Sequence, residues 1–192
     1  MSLTDLTELI HRRRSIFPPM FTGERIDDEV IKKILANANQ APSHKKTNPW
    51  RFHVITGEGL QKLADFFQTT YKSHISSEEF KEMKYKKLGT NPLKASHVIA
   101  IGAKLSPESG LPEWEEIAAV AASIQNLYLS VTASSLGGYW SSPVLMIKHI
   151  DQFIDLDENE RCLGFFYIGV PQEALDLDVD KGDVSEKIKW YR

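Results

Sequence analysis

Leu3, Leu6 and Ile10 fall on one face of a helix that Ser2 opens, and Asp5, three residues on, completes a capping box. This helix is expected to run into Arg12-Arg13-Arg14-Ser15 and to end before Pro18-Pro19. Asp27 stands where a second helix needs its cap, with Val30, Ile31, Ile34, Leu35 and Ala38 as the apolar stripe and Pro42 as the stop. Trp50, Phe52 and Val54 alternate as a strand does, up to Gly57. Residues 60–71 and 77–88 return to helical spacing but carry many Lys and Glu, which places both helices at the periphery. Val98-Ile99-Ala100-Ile101 reads as a short buried strand, and residues 106–112 as a loop.

The segment 113–136 is the most informative. Ile117, Val120, Ile124, Leu127, Leu129 and Val131, with alanines between them, cover nearly every face of one helix. A helix that is apolar all round belongs at a domain centre or in a subunit interface. Gly137-Gly138 is expected to end it, Tyr139-Trp140 to start a strand, residues 151–160 to form a short helix, and residues 163–170 a buried strand. The tail alternates charge with Leu175, Leu177 and Val179 and reads as an extended arm. Helices and strands mix without a strict βαβ rhythm, and no repeat or linker interrupts them. The class is therefore α+β, with residues 1–192 as a single domain.

Composition adds little that contradicts this. The 192 residues are 42% hydrophobic and 26% charged, ordinary for a folded chain. A net charge of -3 gives no global attraction for nucleic acid or an anionic membrane, though a local basic patch can still hold a phosphate. The lone cysteine, Cys162, cannot form an internal disulfide and heads an apolar run, so it reads as a small buried hydrophobe rather than a reactive thiol. With no signal peptide and no apolar stretch of membrane-spanning length, the expected compartment is the cytoplasm.

No phosphate-binding Walker loop, dinucleotide glycine fingerprint, C-x-x-C, zinc-ligand spacing among the six histidines, or nucleophile elbow is present. Side-chain nucleophilic and metal chemistry thus lack support, which leaves an organic cofactor or no catalysis. Three segments carry candidate chemistry. Arg12-Arg13-Arg14-Ser15 either complements a helix dipole at the surface or captures a phosphate. The polar loop from Gln40 through His44 and Lys46 to Trp50 either merely connects two elements or presents donors to a ligand. Gly137-Gly138-Tyr139-Trp140-Ser141-Ser142 is either a turn into a strand or a place where a flat ring approaches the backbone.

Taken in order, R-R-S near the start, A-P-S-H-K-x-x-N-P-W-x-F, P-E-W-E, a long small-residue helix, G-G-Y-W-S-S and G-F-F-Y-I-G-V-P resemble the nitroreductase family. The match is nearest its minimal NAD(P)H nitroreductase subfamily of short chains, and it extends from Leu3 to Pro171. The resemblance implies a central, mostly antiparallel sheet flanked by helices, in an intertwined homodimer with FMN between the subunits. It implies that Arg13, Arg14 and Ser15 hold the phosphate and ribityl end, with Arg12 a solvent-facing neighbour. It implies further cofactor contacts from Gln40, His44 and Lys46, and from Trp140, Ser141 and Ser142. Lys46 stands where many members carry Asn, and the subfamily often has a basic residue where Gln40 and Ser141 stand. Lys181 is the nearest C-terminal basic candidate for the phosphate. Trp114 and Glu115 match the subfamily without an assigned role.

The implied activity is NAD(P)H-dependent reduction of a nitroarene or quinone-type acceptor by a ping-pong mechanism, with the flavin carrying the electrons and no side chain required as a catalytic residue. Two rivals stay open: dehydrogenation of a small substrate by FMN on the same fold, and a non-enzymatic helical module whose arginines bind an anionic partner.

Overall fold

The computed structural model describes residues 2–173 and 179–192. Helix α1 (Leu3–Arg12) opens with the expected capping box, Ser2 Oγ accepting from the Asp5 N–H and the Asp5 carboxylate accepting from the Ser2 N–H. Asp27 caps α2 (Asp28–Ala38). Strand β1 (Trp50–Thr56) follows, then α3 (Glu58–His74), α4 (Glu82–Lys94) and β2 (His97–Lys104). The long helix α5 (Glu113–Ala133) leads to β3 (Gly137–Ser141), the short α6 (Val144–Lys148) and β4 (Glu160–Gly169).

Among the described residues the strands form one sheet in the order β1-β2-β4-β3, every neighbouring pair antiparallel. The period-2 alternation of strand side chains divides the core into two layers. Ile99, Ile101, Phe166 and Ile168 face α2 and α5, while Val98, Ala100, Phe165 and Tyr167 face α3 and α6. Each of the Ile, Val and Phe side chains among them, buried completely, contributes roughly 1.5–3 kcal/mol. One extra residue, Leu163, interrupts the β2–β4 register between Cys162 and Gly164, a bulge that lets both Cys162 and Phe165 face the same layer. Burial pushes the Cys162 thiol up to about 11, so it stays protonated and unreactive at neutral pH. No helix among the described residues is long and apolar enough to cross a membrane.

Three elements depart from the sequence expectation. The helix expected over residues 77–88 is displaced to α4: residues 76–79 form a turn closed by the Ser76 hydroxyl, and the Lys81 N–H is taken by the Tyr71 hydroxyl. The helix expected over residues 151–160 is absent. Instead α6 starts directly after Pro143, a single turn covers Ile150–Gln152, and Glu160 already belongs to β4. Glu160 is drawn inward because its carboxylate bonds His53 Nε2 at 2.6 Å and the Asp157 N–H at 3.0 Å.

Helix α5 ends not at the glycines but at Ala133. Ser135 takes the left-handed conformation, and the Ser135 and Leu136 N–H groups return to the Thr132 and Val131 carbonyls. Gly137 and Gly138 are then free to enter β3. A Cβ on Gly137 would lie 2.6 Å from the Phe21 ring, and one on Gly138 would lie 2.8 Å from the Phe166 ring. Their smallness admits the chain's own aromatic side chains. The tail positions Leu175 and Leu177 lie outside the described residues. From Val179 the chain is irregular apart from one turn, Val184–Lys187.

Candidate functional site

Helix α1 lays the arginine cluster against the far end of α5, and the three arginines separate there. Arg12 is exposed. Arg14 folds back on its own helix, its guanidinium donating to the His11 carbonyl and, at 3.0 Å, to the Arg13 carbonyl. It thereby satisfies carbonyls that a helix C-terminus leaves without partners. Arg13 turns the other way and stacks on α5, its guanidinium carbon 5.0 Å from the centroid of the Tyr128 ring.

The chain leaving α1 then pairs with β3. Ser15 bridges Gly138 in parallel, with the Ile16 N–H donating to the Gly138 carbonyl at 2.9 Å. This bridge brings the first and third sequence motifs together. Tyr128 closes the junction: its hydroxyl accepts the Trp140 N–H at 2.9 Å and lies 3.3 Å from Ser15 Oγ. The Trp140 indole folds over Gly164, where a Cβ would lie 2.8 Å from the indole nitrogen, and that N–H is buried without a partner among the described residues. Ser141 is half-buried and Ser142 exposed at the end of β3.

A groove of about 970 Å³ opens beside this junction. Arg13, Arg14 and Ser15 form one wall, and the C-terminal segment from Val179 to Val184, including Lys181, forms the other. Lys181 therefore lies across from the arginines.

The second motif sits elsewhere. His44 Nδ1 lies 2.6 Å from the Glu115 carboxylate, and the Lys45 ammonium donates to the Ser109 carbonyl at 2.6 Å. Ser43 and Asn48 bond each other twice across the loop. Lys45, Lys46 and Asn48 all have left-handed backbone, at φ 51°, 57° and 45°. That conformation costs an L-residue roughly 1 kcal/mol or more, so the fixed side chains must hold the loop in this shape. Lys46 and Gln40 are exposed on it. Along α5 the stretch from Glu115 to Tyr128 spans roughly 20 Å at 1.5 Å per residue. Within one chain, His44 and Lys46 therefore lie at the opposite end of α5 from Arg13 and Ser15.

Tyr128 was missed in the sequence because it occupies a helical position among apolar residues, where an aromatic reads as core. Its signal was the hydroxyl, which a buried tyrosine must satisfy. Glu115 matched the subfamily without a role, and the structure gives it His44 as a partner. Among the described residues no group of three His, Cys, Asp or Glu side chains is arranged to hold a metal ion.

The profile described as "Nitroreductase family" matches residues 10–170, from α1 to the end of β4. The chain belongs to the nitroreductase family. Among members, YdjA of Escherichia coli K12, provisionally named an NAD(P)H nitroreductase, is 25% identical over 97% of this chain and 100% of its own length. The solved nitroreductase-like family protein from Bacillus cereus superposes with a TM-score of 0.81, at 25% identity over 100% of this chain and 98% of that one. The FMN-dependent nitroreductase NfnB from Mycobacterium smegmatis, solved in complex with NADPH, superposes at 0.80 over the full length of both chains, and its 16% identity shows the shared fold alone. This nitroreductase-like fold is the α+β arrangement with an antiparallel sheet expected from the sequence.

Proposed function

We propose that this chain is an FMN-dependent NAD(P)H oxidoreductase that reduces nitroaromatic or quinone-type acceptors by ping-pong turnover, as a cytoplasmic homodimer. The observation that carries this reading is the meeting of Arg13, Ser15 and Lys181 around one groove. A phosphate monoester carries close to two negative charges at neutral pH and takes cations and hydroxyl donors as partners. The residues present fit that end of FMN. Arg13 and Lys181 would balance its charge and Ser15 would donate a hydrogen bond.

When bound, FMN would supply a two-electron carrier between NAD(P)H and the acceptor. The chain supplies position and charge. Lys46, exposed on its rigid loop, would offer a cation to the negative charge of a reduced flavin. His44 is oriented by Glu115, and Gln40, Trp140, Ser141 and Ser142 contribute the remaining polar and aromatic borders. No side chain has to act as nucleophile or general acid.

The separation of the two motif groups along α5 supports a site completed by a second copy. One chain offers Arg13 and Ser15, and the other offers the His44 loop. The surface agrees with that assembly. Trp114, Ala118 and Ala121 line an uncovered flank of α5, while Val184, Trp190 and Tyr191 stand exposed on the tail. Large apolar surfaces of this kind mark subunit contacts.

The test is an absorption spectrum and the identity of the flavin released on denaturation, followed by NAD(P)H oxidation with varied acceptors. Yellow protein releasing FMN, with parallel double-reciprocal lines, is expected. Protein that stays colourless after incubation with excess FMN refutes the cofactor assignment, and intersecting lines refute ping-pong turnover.

A further inference from the structure

We propose that Tyr128 is a positioning residue that pre-aligns Arg13 and Ser15 for the phosphate of the cofactor, an inference that rests on the FMN reading above. Tyr128 is a buried residue on α5, 8% exposed, yet it reaches both other parts of the phosphate-side junction. Its hydroxyl accepts the Trp140 N–H at 2.9 Å, which occupies one lone pair and leaves the hydroxyl proton. The partner in reach of that proton is Ser15 Oγ, 3.3 Å away. With Tyr128 donating, the Ser15 oxygen is satisfied as an acceptor and its own proton is available to an incoming anion. In that orientation the hydrogen bond sets Ser15 as a donor toward an incoming anion.

The same ring holds Arg13. A guanidinium 5.0 Å from the ring centroid is attracted to the aromatic face and loses rotameric freedom there. Among the described residues its guanidinium makes no ion pair, so its N–H edge is available to a phosphate. An arginine already confined in this way gives up less conformational entropy on binding than one waving in solvent. Tyr128 thus acts on the phosphate through two other side chains and touches no reacting atom. Its contacts with Phe166, at a ring separation of 4.5 Å, fix the tyrosine ring to the sheet and make the alignment rigid.

Tyr128→Phe isolates the hydroxyl, since it keeps the ring under Arg13. Apoprotein would be titrated with FMN and with riboflavin, which lacks the phosphate, for wild type, Tyr128→Phe, Ser15→Ala and the double variant. Tyr128→Phe is expected to weaken FMN roughly three- to tenfold and riboflavin by a clearly smaller factor. Because it acts through Ser15, the double variant should bind FMN no more weakly than Ser15→Ala alone. If Tyr128→Phe binds FMN as wild type does, or loses FMN and riboflavin by the same factor as a damaged core would, the positioning role is overturned while the FMN reading stands. Additive losses in the double variant also overturn it. Wild-type protein that binds no FMN removes the proposal together with the reading beneath it.

Discussion

The Glu115 carboxylate lies 2.6 Å from His44 Nδ1, tying the loop after α2 to the first turn of α5. Both side chains are partly exposed, so the pair contributes at most about 1 kcal/mol to stability. Its consequence is orientation. Glu115→Ala is expected to leave the melting temperature nearly unchanged and to lower NAD(P)H turnover on the order of three- to tenfold. Glu115→Gln keeps an acceptor for the imidazole N–H and should retain most of the activity. Turnover measured on both variants decides the matter, since equal losses would show that orientation by hydrogen bonding is not what Glu115 provides.

The arginine cluster should respond unequally. Arg13→Ala removes the guanidinium held at the groove, and a charge-assisted contact of this type is worth about 1.5–3 kcal/mol. FMN affinity should fall roughly ten- to a hundredfold, with riboflavin almost indifferent. Arg12→Ala should change neither. Arg14→Ala should additionally cost stability, because its guanidinium caps the carbonyls of α1. Flavin titration and thermal melts of the three variants separate these roles.

Ala121 lies on the uncovered flank of α5. Ala121→Arg adds a long charged side chain there without touching the chain's own core. If that flank meets a second copy, the variant should sediment as a monomer and bind FMN at least roughly tenfold more weakly, since a charge forced into an interface core costs several kcal/mol. An FMN-loaded variant that sediments as wild type does would rule out this face.

Acid should weaken the fold through His97. The Ile26 N–H donates to Ser96 Oγ at 2.7 Å, Ser96 Oγ lies 2.9 Å from His97 Nδ1, and His97 Nε2 lies 3.1 Å from the Asp28 carboxylate. Burial pushes the His97 pKa down, partly offset by Asp28, so the folded protein resists protonation that the unfolded chain accepts near pH 6.5. The unfolded state then binds more protons, and stability falls as pH drops below about 6.5. The Asp28 carboxyl is held below its usual range chiefly by His97, and its contribution is lost only at more acidic pH, as it becomes protonated. Urea midpoints between pH 8 and pH 5 should decline for wild type, and His97→Gln should flatten the decline. A pH-independent midpoint for wild type contradicts this.

The segments legible in the sequence were those whose own chemistry fixes them. The capping box at Ser2 and Asp5, the Asp27 cap and the alternation of Trp50, Phe52 and Val54 each satisfy local donors or one face of a sheet, and all appear where expected. The helix misplaced onto residues 151–160 failed because the partner that recruits Glu160 into β4 is His53, more than a hundred residues away. Gly137-Gly138 was misread as a helix stop because the Phe21 and Phe166 rings that require those glycines come from other elements.

The same division runs through the candidate site. The sequence alone determined the residue types that suit an anionic cofactor, Arg13, Arg14 and Ser15 with a donor-rich loop and a C-terminal lysine, because charge and donor count are properties of the side chains themselves. Only the tertiary structure decided how they are placed. It turned Arg14 back onto its helix, stacked Arg13 on Tyr128, and set the His44 loop at the other end of α5, because those outcomes depend on contacts between elements far apart in the chain.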